Sequence, residues 1–237
     1  MTDSISAKPS IVLVHGAFAD ASGWQKVILA LEGKGFPVTA VQVPLKSLAD
    51  DVTTTVRALE TQKGDVVLVG HSYGGAVITG AGAASANVKA LVYVSAFAPD
   101  KGEALGPLIE SKAPSSLTPA IVPDSAGFLS IDRAKFRDVF AADVSDSEAS
   151  VMAATQKPIA SAIFGEPTEA AAWTTIPSWY IVAKQDHAIN PDLERFFAKR
   201  MKATITELDS SHVPFISQPA EVVKIIEDAA ASLKSNN

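Results

Sequence analysis

Apolar and polar positions follow two rhythms along this chain. Short β-branched runs recur at Ser10–His15, Pro37–Val43, Asp65–Gly70 and Lys89–Ser95, then again at Ser178–Ala183 and Ala203–Leu208. Helix-length stretches lie between them, at Ala21–Gly33, Ser47–Gln62, Tyr73–Ser85, Pro191–Met201 and Pro219–Leu233. In the last of these, Val222-Val223, Ile225-Ile226 and Ala229-Ala230 return every three or four residues with Glu and Lys between them. That spacing predicts an amphipathic helix laid on a sheet. Apolar strands alternating with helices are the pattern of βαβ units and of a parallel sheet buried on both faces. The expected fold is α/β, with a mostly parallel sheet of six strands flanked by helices.

The rhythm breaks between about Pro99 and Trp173. Pro107, Pro114, Pro119 and Pro123 punctuate this stretch, and helical patterns follow around Asp132–Ala142, Ser145–Ala154 and Pro167–Ala172. A long segment without strands, set between the fourth and fifth strands of one sheet, is most simply a helical excursion over the top of it. Open α/β sheets bind ligands outside the carboxyl ends of their strands, so the excursion is expected to roof a site. The expected division is a core of residues 1–98 and 173–237 with a helical lid at 99–172.

Composition narrows the function classes. The 237 residues are 47% hydrophobic, enough for one domain with a large core. Net charge is 20 − 26 = −6, with acidic residues spread along the chain and no Lys/Arg-rich run. Nucleic acid and anionic membrane are therefore not expected partners. Apolar runs are strand-length, and Met1–Pro9 lacks a charged region followed by an apolar stretch. The expectation is a cytoplasmic protein with no spanning segment and no signal peptide. Cysteine is absent, which removes disulfides, thiolate metal sites and cysteine catalysis. Composition sets no oligomeric state.

The chemistry concentrates at Gly70-His71-Ser72-Tyr73-Gly74, a G-x-S-x-G pentapeptide at the junction of the apolar run Asp65–Val69 and a small-residue helix. A sharp strand-to-helix turn exposes a serine hydroxyl, and flanking glycines let the two elements pass closely. The helix also points its free N–H groups at the same spot, which favours negative charge there. A serine nucleophile needs a base, and the base needs an orienting carboxylate. Of the four histidines, His15 and His71 sit inside the turns and are expected to shape the backbone. His187 adjoins Asp186 after one strand, whereas His212 follows the final strand and can reach over the sheet. His212 is the candidate base. Asp186 is the candidate acid, because Asn190-Pro191 already reads as the cap and first turn of the next helix. Asp100 is the alternative acid. Two convergent amides are expected to hold an oxyanion: that of Tyr73, and one from the loop after the first strand, Ala17 or else Phe18. Their neighbour Asp20 reads equally as a helix N-cap. No His-x-x-x-His pair or acidic cluster suggests a metal site, and Gly70–Gly75 lacks the lysine of a phosphate loop.

Taken together, Val12–Phe18, Gly70–Gly75, Asp186 and Ser211-His212-Val213-Pro214 resemble an α/β-hydrolase. More narrowly, they are similar to the small-lid branch of plant methylesterases, hydroxynitrile lyases and related bacterial esterases. The resemblance implies a cofactor-free serine hydrolase with a Ser72-His212-Asp186 triad and an acyl-enzyme. The apolar residues of the 99–172 stretch, Leu105, Leu108, Ile109, Phe128, Leu129, Phe136, Phe140 and Phe164, point to a small uncharged ester as its substrate. The resemblance also implies alternatives on the same triad: cyanohydrin cleavage, perhydrolysis, or small-ligand sensing without turnover. Hydroxynitrile lyases carry a lysine after the histidine and a hydroxyl residue in the first loop. Here those positions are Val213 and Gly16.

Overall fold

The computed structural model describes residues 8–233, so Met1–Ala7, and with them most of the segment read for a leader, lie outside the described residues. The first half forms β1 (Ser10–Val14), α1 (Gln25–Gly33), β2 (Val38–Val41), α2 (Leu48–Glu60), β3 (Val66–His71), α3 (Tyr73–Ala83) and β4 (Val88–Val94). Next come α4 (Leu105–Glu110), β5 (Ile121–Pro123), β6 (Phe128–Ile131), α5 (Phe136–Phe140), α6 (Asp146–Thr155) and β7 (Ile159–Ala160). The chain ends with β8 (Ser178–Ala183), α7 (Pro191–Arg200), β9 (Thr204–Leu208), α8 (Pro214–Ser217) and α9 (Pro219–Ser232).

Six strands pair in the order β2-β1-β3-β4-β8-β9, every pair parallel. β1 and β3 are buried along their whole length, as the unbroken apolar runs require of a sheet covered on both faces. Helices supply that cover. On α9 the stripe Val222, Val223, Ile225, Ile226, Ala229 and Ala230 is buried, each Val or Ile contributing about 1.5–3 kcal/mol by leaving water. Ser47 accepts from the Asp50 amide at 3.1 Å to start α2. Asn190 caps α7 at 2.9 Å through the Asp192 amide, with Pro191 in the first turn. The parallel arrangement brings the carboxyl ends of β1, β3, β8 and β9 to one edge of the sheet. No helix among the described residues is long and apolar enough to cross a membrane.

Residues between β4 and β8 depart from the expectation of a segment without strands. β5, β6 and β7 form a small antiparallel sheet. The turn explains the first hairpin: the Asp124 carboxylate accepts from Ala126 and Phe128 amides at 2.8 and 2.9 Å, and Gly127 takes φ +82°, which glycine adopts without steric cost. The expected helix at Asp132–Ala142 shortens to α5. That at Pro167–Ala172 does not form, because its backbone pairs elsewhere. The Thr168 amide donates to Glu103 at 2.8 Å and the Gly102 amide donates to Thr168 at 2.7 Å.

Candidate active site

Ser72 links β3 to α3 with φ 53° and ψ −124°, a conformation costing an L-residue about 1–3 kcal/mol. Its neighbours hold it there. The Ser72 amide donates to Val94 at 3.2 Å, and its carbonyl accepts from Phe97 and Gly75 amides, both at 3.0 Å. Glycine is needed where the backbones cross: a Cβ at Gly70 would lie 2.5 Å from the Gly74 carbonyl oxygen, and one at Gly74 2.6 Å from that of Val14.

His212 lies on the loop between β9 and α8 and is buried. Two contacts fix it. His71 Nε2 donates to the His212 carbonyl at 2.9 Å, and His212 Nδ1 donates to Asp186 Oδ2 at 2.5 Å. That tautomer leaves Nε2 as the basic nitrogen. Nε2 has no hydrogen-bond partner among the described residues, the Ser72 hydroxyl included, yet both side chains line one cavity of about 270 Å³. Serine–histidine bonds are often long before substrate arrives.

Asp186, in the turn after β8, accepts from Ala188 and Ile189 amides through Oδ1 at 2.6 and 2.8 Å, so its own loop holds the carboxylate that holds the histidine. The alternative acid, Asp100, instead accepts from the Lys101 amide at 2.7 Å, within its own turn. His187 is turned outward, donating to the Asp138 carbonyl at 2.8 Å. Asp20 caps the short 3-10 turn Ala21–Trp24 through the Ser22 amide at 2.7 Å.

Ala17, Phe18 and Tyr73 line the same cavity as Ser72. Tyr73 opens α3, where an amide has no partner within the helix. Its phenol donates to buried Asp51 at 2.6 Å, and burial with that contact pushes the phenol far above its ordinary range. His15 Nδ1 donates to the Gly16 carbonyl at 2.8 Å while Nε2 accepts from the Val43 amide at 3.2 Å. Burial lowers His15 to about 4 and drives His71 well below its usual value. Both stay neutral at pH 7.

Apolar side chains make up the remaining wall, among them Phe97, Phe140, Ile121, Leu129 and Phe164, with Ser115 and Thr118 adding polarity. Among the described residues, no charged side chain lines it. A larger cleft, about 450 Å³, between α2, α3 and residues 166–170 contains none of these groups.

Two contributors escaped the sequence. Asp143, in the segment between β4 and β8, accepts from the Ser211 amide at 3.0 Å and from the Ser211 hydroxyl. It braces the residue before His212 from 68 positions away, a distance no local motif reports. Glu194 is fully buried on α7 beside Asp186. Its signal was legible: with Phe197, Ala198 and Met201 it falls at helical spacing on an apolar stripe.

A parallel sheet carrying a serine on a strained strand-to-helix turn, with a buried histidine on the same cavity bonded to an aspartate behind it, defines the α/β-hydrolase class. Sequence comparison agrees: a model of the "Alpha/beta hydrolase family" matches residues 11–225. The chain belongs to that family and is a hydrolytic enzyme. It is 28% identical to an alpha/beta hydrolase, nvfD, of Aspergillus novofumigatus, over 94% of this chain and 97% of that one. It is likewise 28% identical to Methylesterase 2 of Arabidopsis thaliana, over 90% and 92% of the two chains. The fold is similar to that of a pyrethroid hydrolase from Sphingobium faniae JZ-2, with a TM-score of 0.81 at 22% identity, over 94% of this chain and 97% of that one.

Proposed function

We propose that the protein is a carboxylesterase acting on small uncharged esters through Ser72, His212 and Asp186. His212 Nε2 takes the Ser72 hydroxyl proton as Oγ attacks the ester carbonyl carbon. Amides of Tyr73 and of Ala17 or Phe18 receive the oxyanion. As the tetrahedral species collapses, the carbon–alkoxy bond breaks and His212 returns its proton to the departing alcohol. A water then attacks the acyl-enzyme, giving its proton to Nε2, and collapse releases the carboxylic acid and restores Ser72. Asp186 holds the imidazole throughout and stays ionised. Residues 99–172 serve as the lid, contributing Ile109, Ile121, Leu129, Phe140 and Phe164 to the cavity wall. The reading requires no metal or organic cofactor.

The observation that carries this reading is the shared cavity of Ser72 and His212, with His212 bonded at 2.5 Å to a carboxylate that its own loop fixes. Cyanohydrin cleavage is disfavoured at Gly16, where even a Cβ would sit 2.7 Å from that of Ser72, and at Val213, which supplies no cation. The methylesterase among its relatives supports the ester class. Hydrolysis of a p-nitrophenyl ester series at pH 8 tests the reading: Ser72→Ala is expected to lower kcat by at least about 10³-fold. A variant as fast as the wild type sinks it.

A further inference from the structure

The acyl-transfer cycle leaves two buried carboxyls unused: Asp51, which accepts from the Tyr73 phenol and the Leu45 amide, and Glu194. Glu194 projects from α7 beneath the triad, fully buried, with its carboxyl against that of Asp186. Glu194 Oε2 accepts from the Ala183 amide at 3.0 Å, whereas Oε1 meets no donor among the described residues. Asp186 accepts from His212 Nδ1, Ala188 and Ile189, and a carboxylate with about four lone-pair positions has room for one more donor. Among the described residues none forms an ion pair with Glu194, and only the Arg195 charge acts on it favourably. The titratable neighbours of Glu194 are Asp186 on the β8 loop, Tyr180 within β8 and Arg195 on α7 itself. Arg195 spends its guanidinium on Glu207 at 2.9 Å and Asp192 at 3.0 Å, while the Tyr180 hydroxyl donates to the Ala96 carbonyl. Adjoining carboxyls in such a setting cannot both ionise, and three donors already favour the charge on Asp186.

We propose that Glu194 is a positioning residue for the triad: it keeps its proton through the cycle, and its O–H donates to Asp186, fixing the carboxylate that holds His212. Burial and the Asp186 charge both push the Glu194 carboxyl well above the usual range, in keeping with a neutral group. The one hydrogen bond satisfies Oε1 and the remaining acceptor site on Asp186 together. This inference rests on the triad reading above.

Two substitutions separate the roles. Glu194→Gln retains one acceptor for the Ala183 amide and one donor for Asp186, whereas Glu194→Met keeps the volume and loses both. We expect Glu194→Gln to remain within about threefold of wild-type kcat/KM, with the acid limb of its pH profile unmoved. Glu194→Met should lower kcat about tenfold with little change in KM. It should also move the acid limb upward by about one pH unit, because a less shielded Asp186 holds the imidazolium more tightly. A downward move in Glu194→Gln would mean that the native group is an anion, and an unmoved limb in Glu194→Met would reduce it to packing; either overturns the proposal. Infrared spectra of protein labelled with ¹³C-glutamate give a second readout that needs neither turnover nor the Met variant. A protonated-carboxyl stretch at pH 7 that vanishes in Glu194→Gln supports the proposal, and its absence from the wild type refutes it. The esterase reading can fail through Ser72→Ala while this measurement stands.

Discussion

His15 illustrates how a single neutral side chain ties the site to pH. Its two ring nitrogens are committed in opposite senses, Nδ1–H to the Gly16 carbonyl and Nε2 to the Val43 amide. A proton on Nε2 would leave the Val43 N–H facing another donor, directly beneath the loop that carries Ala17 and Phe18. Burial depresses His15 from 6.5 to about 4, so the folded state binds this proton more weakly than the unfolded chain. The stability it contributes is complete above about pH 6.5 and is lost as pH falls through 4, a change of about 3 kcal/mol. Glu194 acts with the opposite sign: raised when folded, it favours the folded state at low pH and gives up that stability as pH rises. Urea unfolding of the wild type between pH 7 and 4 should therefore show an acid loss that His15→Gln makes shallower. An identical slope in the two proteins would remove His15 as the cause.

At the scale of elements, the sequence spoke clearly wherever one periodicity ran long enough. β8 falls at Ser178–Ala183 as its apolar run predicts, and α9 buries the stripe its spacing drew. The turn chemistry around Ser72 was legible for the same reason, since strand, glycines and helix are contiguous in the chain. The hairpin of β5 and β6 was not read, although Asp124 and Gly127 between apolar pairs are turn residues; Pro119 and Pro123 masked strands only three and four residues long. Tertiary pairing decided Pro167–Ala172, where backbone bonds of Thr168 to Gly102 and Glu103 replace the expected helix. The Asp143–Ser211 contact was invisible for a different reason, being a meeting of two loops with no shared period. It makes a prediction at this scale. Asp143→Ala frees the loop that presents His212 and should reduce kcat/KM about tenfold, with an unfolding midpoint close to wild type. Unchanged kinetics would show that the His212 loop holds its place without this brace.

The whole molecule sets what can enter. A cavity of about 270 Å³ with apolar walls and, among the described residues, no charged lining offers little to offset the desolvation of an anion, which costs several kcal/mol. A p-nitrophenyl ester ending in a carboxylate should therefore be cleaved at least about 10²-fold more slowly than its neutral isostere. Equal rates would place the acyl group outside this cavity. Strand order carries a further consequence. β1 through β4 bring Ser72 and the loop of Ala17 and Phe18, while β8, β9 and their helices bring Asp186 and His212. The two parts meet along the β4–β8 ladder from Leu91–Ser178 to Val94–Ile181, and the exposed stretch Ser111–Pro114 lies in the chain that joins them. Severed there, neither fragment would hold Ser72, Asp186 and His212 together, and recovered esterase activity would report that the two halves had found each other and rebuilt the seam.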